Sequence, residues 1–219
     1  MTPEVRIVVR PYATSLALGF FSFGIGMLLL AGMSNGWLHP SDRHTVGLVL
    51  AFFVFPLELL SAVIAFLARD SFGATGLGLF ATSWLAIGLA NMLASQDALS
   101  RATGLYEFGF ACAIGLLAVA AFSGKPLIGG ILAVATVRSA LSGVHEWGGP
   151  DWAWKAAGWL ALAIFFAAMY GGLAFLLEDV LAKQVLPVFR RGASKESIEG
   201  GLDAQLAGLA DEAGVRKTL

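Results

Sequence analysis

Residues 154–177 read WKAAGWLALAIFFAAMYGGLAFLL, and Lys155 is the single charged residue in the stretch. A helix needs about 20 mostly apolar residues to cross the hydrocarbon core of a bilayer. This run meets that length without a polar face that water could occupy. Five earlier stretches have the same character: 16–38, 46–67, 72–94, 104–122 and 127–147. Short polar breaks separate them, at His39-Pro40-Ser41-Asp42-Arg43-His44, at Arg69-Asp70, across 96–101, at Gly124-Lys125-Pro126 and at Gly148-Gly149-Pro150-Asp151.

The whole composition agrees. Of 219 residues, 58% are hydrophobic and 13% charged, and the mean hydropathy is +0.78. Soluble domains carry about a quarter charged residues, so the missing charge points to lipid as the solvent. The fold class expected is all-α integral membrane, a bundle of six transmembrane helices. Residues 1–15 form an N-terminal segment, 16–188 the transmembrane domain and 189–219 a tail. In that tail Ile198, Leu202, Leu206 and Leu209 fall on one helical face. A net charge of -1 gives no reason to expect nucleic acid as a partner. The single Cys112 excludes a disulfide framework.

Lysine and arginine set the orientation. With six spans, ten of these residues (Arg6, Arg10, Arg69, Lys125, Lys183, Arg190, Arg191, Lys195, Arg216 and Lys217) fall on the side of the termini, against Arg43, Arg101 and Lys155 on the other. The positive-inside rule then places both termini in the cytoplasm of a multi-pass cell-membrane protein.

Catalytic motifs are missing, and no catalytic residue, cofactor or metal is assigned. Gly76-Leu77-Gly78-Leu79-Phe80-Ala81 imitates a dinucleotide fingerprint, but it lies inside a span with no preceding strand. The informative residues are ionisable groups within spans, which are costly there and usually face an interior or a water path. Glu58 lies two residues after Pro56, in a stretch the proline is expected to kink. Arg138 lies between Thr136 and Ser139. At matching depth the two are expected to form a buried pair, which either fixes helix packing or serves an anion and a proton. Glu107, His145 and Glu146 fall near outer helix ends, where they would make a charged, solvated vestibule.

Two groups of residues carry a family resemblance. One is Gly158-Trp159-Leu160, then Ala168-Met169-Tyr170, then Val185-Leu186-Pro187; the other is Ser71-Phe72-Gly73-Ala74-Thr75 leading to Ser83-Trp84. In order and spacing the chain resembles the acetate uptake transporter family of the YaaH/SatP type over roughly residues 14–188. It departs at the first-helix signature, where Thr14-Ser15-Leu16-Ala17-Leu18-Gly19-Phe20 lacks the family's Asn and both prolines. It also has Glu58 at a Gln position and Arg138 at an apolar one, so it looks like a divergent member.

The resemblance implies three helix pairs around a pore in each protomer, assembled as a homo-oligomer, usually a hexamer. It implies a hydrophobic constriction at Phe23, Phe80 and Ala135, and a substrate path that includes Thr75 and Tyr170 with Glu58 and Arg138. The function implied is transport of small monocarboxylates such as acetate, with or without succinate and protons. The alternatives left open are a pore for a small neutral solute such as ammonia or urea, and a non-transporting membrane scaffold.

The topology is testable by cysteine labelling in a background lacking Cys112. Ser41→Cys is expected to react from outside intact cells and Ser194→Cys only after permeabilisation. Outside labelling of Ser194→Cys reverses the assignment.

Overall fold

The structure is a computed structural model that describes residues 13–93, 99–181, 183–192 and 194–195. Arg6 and Arg10, and the tail face of Ile198, Leu202, Leu206 and Leu209, lie outside the described residues. Among the described residues, six helices are long and apolar enough to cross a bilayer: α1 Leu16–Ser34, α2 Pro40–Leu67, α3 Ser71–Leu93, α4 Arg101–Phe122, α5 Pro126–Glu146 and α6 Asp151–Leu181. This is the six-helix membrane fold read from the sequence, with different limits at several ends.

Each shift has a local cause. α1 stops at Ser34 because Gly36 turns the chain with φ 73°, and the Trp37 amide then bonds back to the Gly32 carbonyl at 2.9 Å. The segment after it, expected to be a loop, already starts α2. Pro40 occupies the first helical position, where its missing N–H costs nothing. The His39 amide donates to Asp42 Oδ2 at 2.9 Å, and the Ser41 amide to His39 Nδ1. The turn into α3 uses Arg69 at φ 62° and Asp70, whose carboxylate accepts the Gly73 amide at 3.0 Å. α6 has 31 residues, so it is about 46 Å long, well beyond a hydrocarbon core of about 30 Å.

Pro56 leaves its mark upstream of itself. Residues Leu50–Val54 form a π-helical turn between the α-helical parts of α2. A proline removes one backbone donor and its ring presses on the carbonyl four residues before, here that of Phe52. The wider π turn relieves both problems without leaving the helix.

The chain divides into two compact units. The first holds α1, α2, α3 and residues 161–172 of α6. Here α2 and α3 form a hairpin whose backbones touch at glycines. A Cβ on Gly47 would lie 2.6 Å from the Gly88 carbonyl oxygen, and one on Gly88 would lie 2.9 Å from Ala51 N. In the same unit α1 packs on α6, with Phe20 over Gly171, Phe21 over Gly172 and Met169 over Gly24. Ser15 Oγ donates to the Ser61 carbonyl at 2.8 Å and ties α1 to α2.

The second unit holds α4, α5 and the remaining parts of α6 with the segment beyond it. Its α4–α5 hairpin repeats the device. A Cβ on Gly104 would lie 3.1 Å from the Gly143 carbonyl oxygen, and the converse distance is also 3.1 Å. The open ends of the two hairpins are tied alike. Arg43, four residues before Gly47, donates through Nε to Asn91 Oδ1, three residues after Gly88, at 2.8 Å. The Ser100 amide, four residues before Gly104, donates to Glu146 Oε2, three residues after Gly143, also at 2.8 Å. After α6 the chain folds back. Arg190 grips Glu178 with two bonds of 2.5 and 2.8 Å, and the Arg191 amide donates to the Gly124 carbonyl at 3.0 Å.

The glycine contacts predict a contrast. In Gly88→Ala the new methyl meets backbone that cannot swing away, and a loss of about 1–3 kcal/mol is expected from overpacking. At Gly76 a Cβ would meet nothing within 4 Å, so Gly76→Ala gains up to about 1 kcal/mol from helix propensity. Thermal unfolding of both variants in detergent, compared with the parent chain, checks this. Equal midpoints would show that the crossing is not tight.

Candidate functional site

Two buried polar groups stand out, one in each unit. In the first unit Glu58 is fully buried. Trp84 Nε1 donates to its Oε2 at 2.6 Å, and its Oε1 has no partner. The indole reaches this position because Gly26 leaves room for it on α1: a Cβ there would lie 2.8 Å from the far edge of the ring. Phe23 packs edge-on to Trp84 at 6.0 Å and to Phe80 at 4.7 Å between ring centroids. The structure therefore brings together two of the three constriction positions, Phe23 and Phe80, against the Trp84–Glu58 hydrogen bond. Ala135 is buried on α5, in the second unit. Trp84 appears in the sequence only as part of a motif; its role as the donor to Glu58 depends on α2 and α3 lying side by side.

The second unit holds Arg138, which is 4% exposed. The acidic group that acts on it is Glu107 of α4, itself 4% exposed. Ser139 Oγ donates to Glu107 Oε2, and Glu146 lies within electrostatic reach of the same carboxylate. Within its own unit Glu58 is met by Trp84, and within its own unit Arg138 is met by Glu107. One expectation is corrected here. Glu107 is not a solvated residue at an outer helix end. Helix α4 turns it onto α5, where the Gly104–Gly143 approach brings Ser139 within hydrogen-bond reach.

Along α5 the polar atoms are unevenly satisfied. Arg138, Ser142 and His145 are spaced at i, i+4 and i+7, so they share one helical face, and Ala135 precedes them on it. Each leaves a buried atom without a partner: Arg138 Nε, Ser142 Oγ and His145 Nδ1. Buried polar groups are overwhelmingly hydrogen-bonded in proteins, so three open ones on one face mark a place for water or a ligand. The His145 ring stacks on Trp154 at 5.0 Å, which fixes its plane. Glu146 is spent on the Ser100 amide.

The remaining path residues are placed differently. Thr75 is exposed, and its hydroxyl donates to the Ser71 carbonyl at 2.8 Å. Tyr170 is half-buried in the α6 segment of the first unit.

No family model and no curated protein matches the chain. Among solved structures it superimposes on the structure of the bacterial acetate channel SatP, with a TM-score of 0.72 and 18% sequence identity. The match covers 81% of this chain and 99% of that one. The chain therefore shares that channel's fold, at an identity in keeping with the divergence read from its motifs.

The Trp84–Glu58 contact yields a prediction about stability. Trp84→Phe removes the donor and leaves a buried carboxyl without any partner, at a cost of about 1–3 kcal/mol beyond lost packing. Glu58→Gln keeps an acceptor for the indole and is expected to cost less. A double-mutant cycle of Trp84→Phe with Glu58→Leu, read by thermal unfolding in detergent, is expected to show a coupling of at least about 0.5 kcal/mol. Additive losses would mean that the two side chains are neighbours without a stabilising bond.

Proposed function

We propose that this protein conducts small monocarboxylates, acetate first, across the membrane. The observation that carries the reading is the open polar face of α5: a buried guanidinium with a free Nε, followed by a free serine hydroxyl and a free imidazole nitrogen. A carboxylate accepts several hydrogen bonds, and bonds to a charged donor are the stronger ones. An anion shedding water inside a span needs such compensation. The fold shared with an acetate channel supports the same reading. In it, the Phe23–Phe80 ring pair is the apolar constriction that limits size and excludes bulk water. Arg138 and Ser142 receive the carboxylate, and His145 continues the route along the helix.

A pore for a neutral solute has no use for a buried cation, and a scaffold predicts no flux. Radiolabelled acetate uptake into proteoliposomes tests the proposal. Removing Arg138 alone would strand Glu107, so the informative variant is Glu107→Gln with Arg138→Leu. It is expected to assemble and to lose acetate flux by about 10- to 100-fold, the equivalent of one charge-assisted bond of about 1.5–3 kcal/mol. Normal assembly with undiminished uptake would overturn the role of Arg138. Absence of acetate flux in the parent protein, with urea or ammonia passing, would replace the reading with the neutral-solute pore.

A further inference from the structure

We infer that Glu107 sets the charge selectivity of this path: it admits monoanions at Arg138 and turns away dicarboxylate dianions. The inference rests on the proposed carboxylate path and adds a rule for which carboxylates it takes.

The groups acting electrostatically on Glu107 are Arg138 and Glu146, and those acting on Arg138 are Glu107 and Tyr106. The guanidinium thus faces the Glu107 carboxylate, and Glu146 adds a second negative charge beside Glu107. Glu107 is held in place by Ser139 Oγ, and Glu146 by the Ser100 amide at 2.8 Å. Neither can swing away freely when a second anion arrives. Yet Arg138 Nε is buried and unpartnered, so its hydrogen-bonding capacity is not exhausted by Glu107. The site offers a donor for an incoming carboxylate while its positive charge is already offset.

That combination discriminates by charge number. A monoanion adds one negative charge and gains bonds to Arg138 and Ser142. A dianion of similar width gains the same bonds at one end, and its second carboxylate adds only repulsion from Glu107 and Glu146. Two unit charges about 6 Å apart, at an effective dielectric constant near 20, repel by several times the thermal energy. Burial keeps salt from screening this. A path lined by a lone arginine would behave in the opposite way and favour the more highly charged ion.

The test is the ratio of succinate to acetate uptake in proteoliposomes at pH 7.5, where both are ionised. Glu107→Gln keeps an acceptor for Ser139 and removes the charge, and it is expected to raise the ratio by about tenfold or more, since the removed repulsion acts twice on a dianion. Glu107→Asp keeps the charge and is expected to hold the ratio within about twofold of the parent. Glu146→Gln, which keeps the bond to Ser100, is expected to raise the ratio by about two- to threefold, because its carboxylate contributes a weaker share of the same field. Acetate uptake with an unchanged ratio in Glu107→Gln overturns the inference and leaves the conducting role intact. If that variant does not assemble, an unchanged ratio in Glu146→Gln overturns it instead. Loss of selectivity in Glu107→Asp to the same extent as in Glu107→Gln would assign the effect to shape and not to charge.

Discussion

Helices in lipid gain nothing by hiding apolar side chains from a solvent that is itself apolar. They associate through close contact and polar ties. The close approach of backbones at glycine is therefore the constraint on which the rest of this structure depends. Gly47 with Gly88 sets the α2–α3 hairpin, and Gly104 with Gly143 sets the α4–α5 hairpin. Gly24, Gly171 and Gly172 let α1 lie on α6. The polar ties follow from these contacts. Arg43 reaches Asn91, and the Ser100 amide reaches Glu146, only because each hairpin closes next to its glycine pair.

The same contacts govern the buried ionisable groups, and the two units treat them differently. Glu58 is met by a neutral donor, the Trp84 indole, which itself needs the space over Gly26. The result is a brace with one oxygen left open, set behind the Phe23–Phe80 ring pair. Arg138 is met by an opposite charge, Glu107, which a serine holds in turn. This cluster keeps polar atoms in reserve along one face of α5, and that reserve gives the proposed carboxylate path its chemistry.

Helix α2 shows how the fold absorbs a local fault. Pro56 removes a backbone bond in a solvent that cannot replace it. The π turn over Leu50–Val54 re-spaces the ladder upstream. Ala51, within that turn, is the backbone that Gly88 approaches. The proline, the π turn and the glycine crossing are parts of one local arrangement.

The six spans could be read from the sequence alone, because bilayer thickness dictates the length and apolarity of any segment that crosses it. Glu58 and Arg138 stood out for the same reason, as ionisable groups where lipid tolerates few. The helix ends were less legible: Gly36 stops α1 early, and the His39–Asp42 cap starts α2 early. The partners of the buried groups were not legible at all. In a soluble helix the apolar stripe reveals which side faces inward. Here lipid-facing and protein-facing sides are both apolar, so the pattern carries no rotational phase. Glu107 could be placed in α4 from composition, but not turned toward Arg138, and Trp84 could not be aimed at Glu58. Those orientations come from backbones meeting at glycines far apart in the chain, and only the tertiary structure decides which glycines meet.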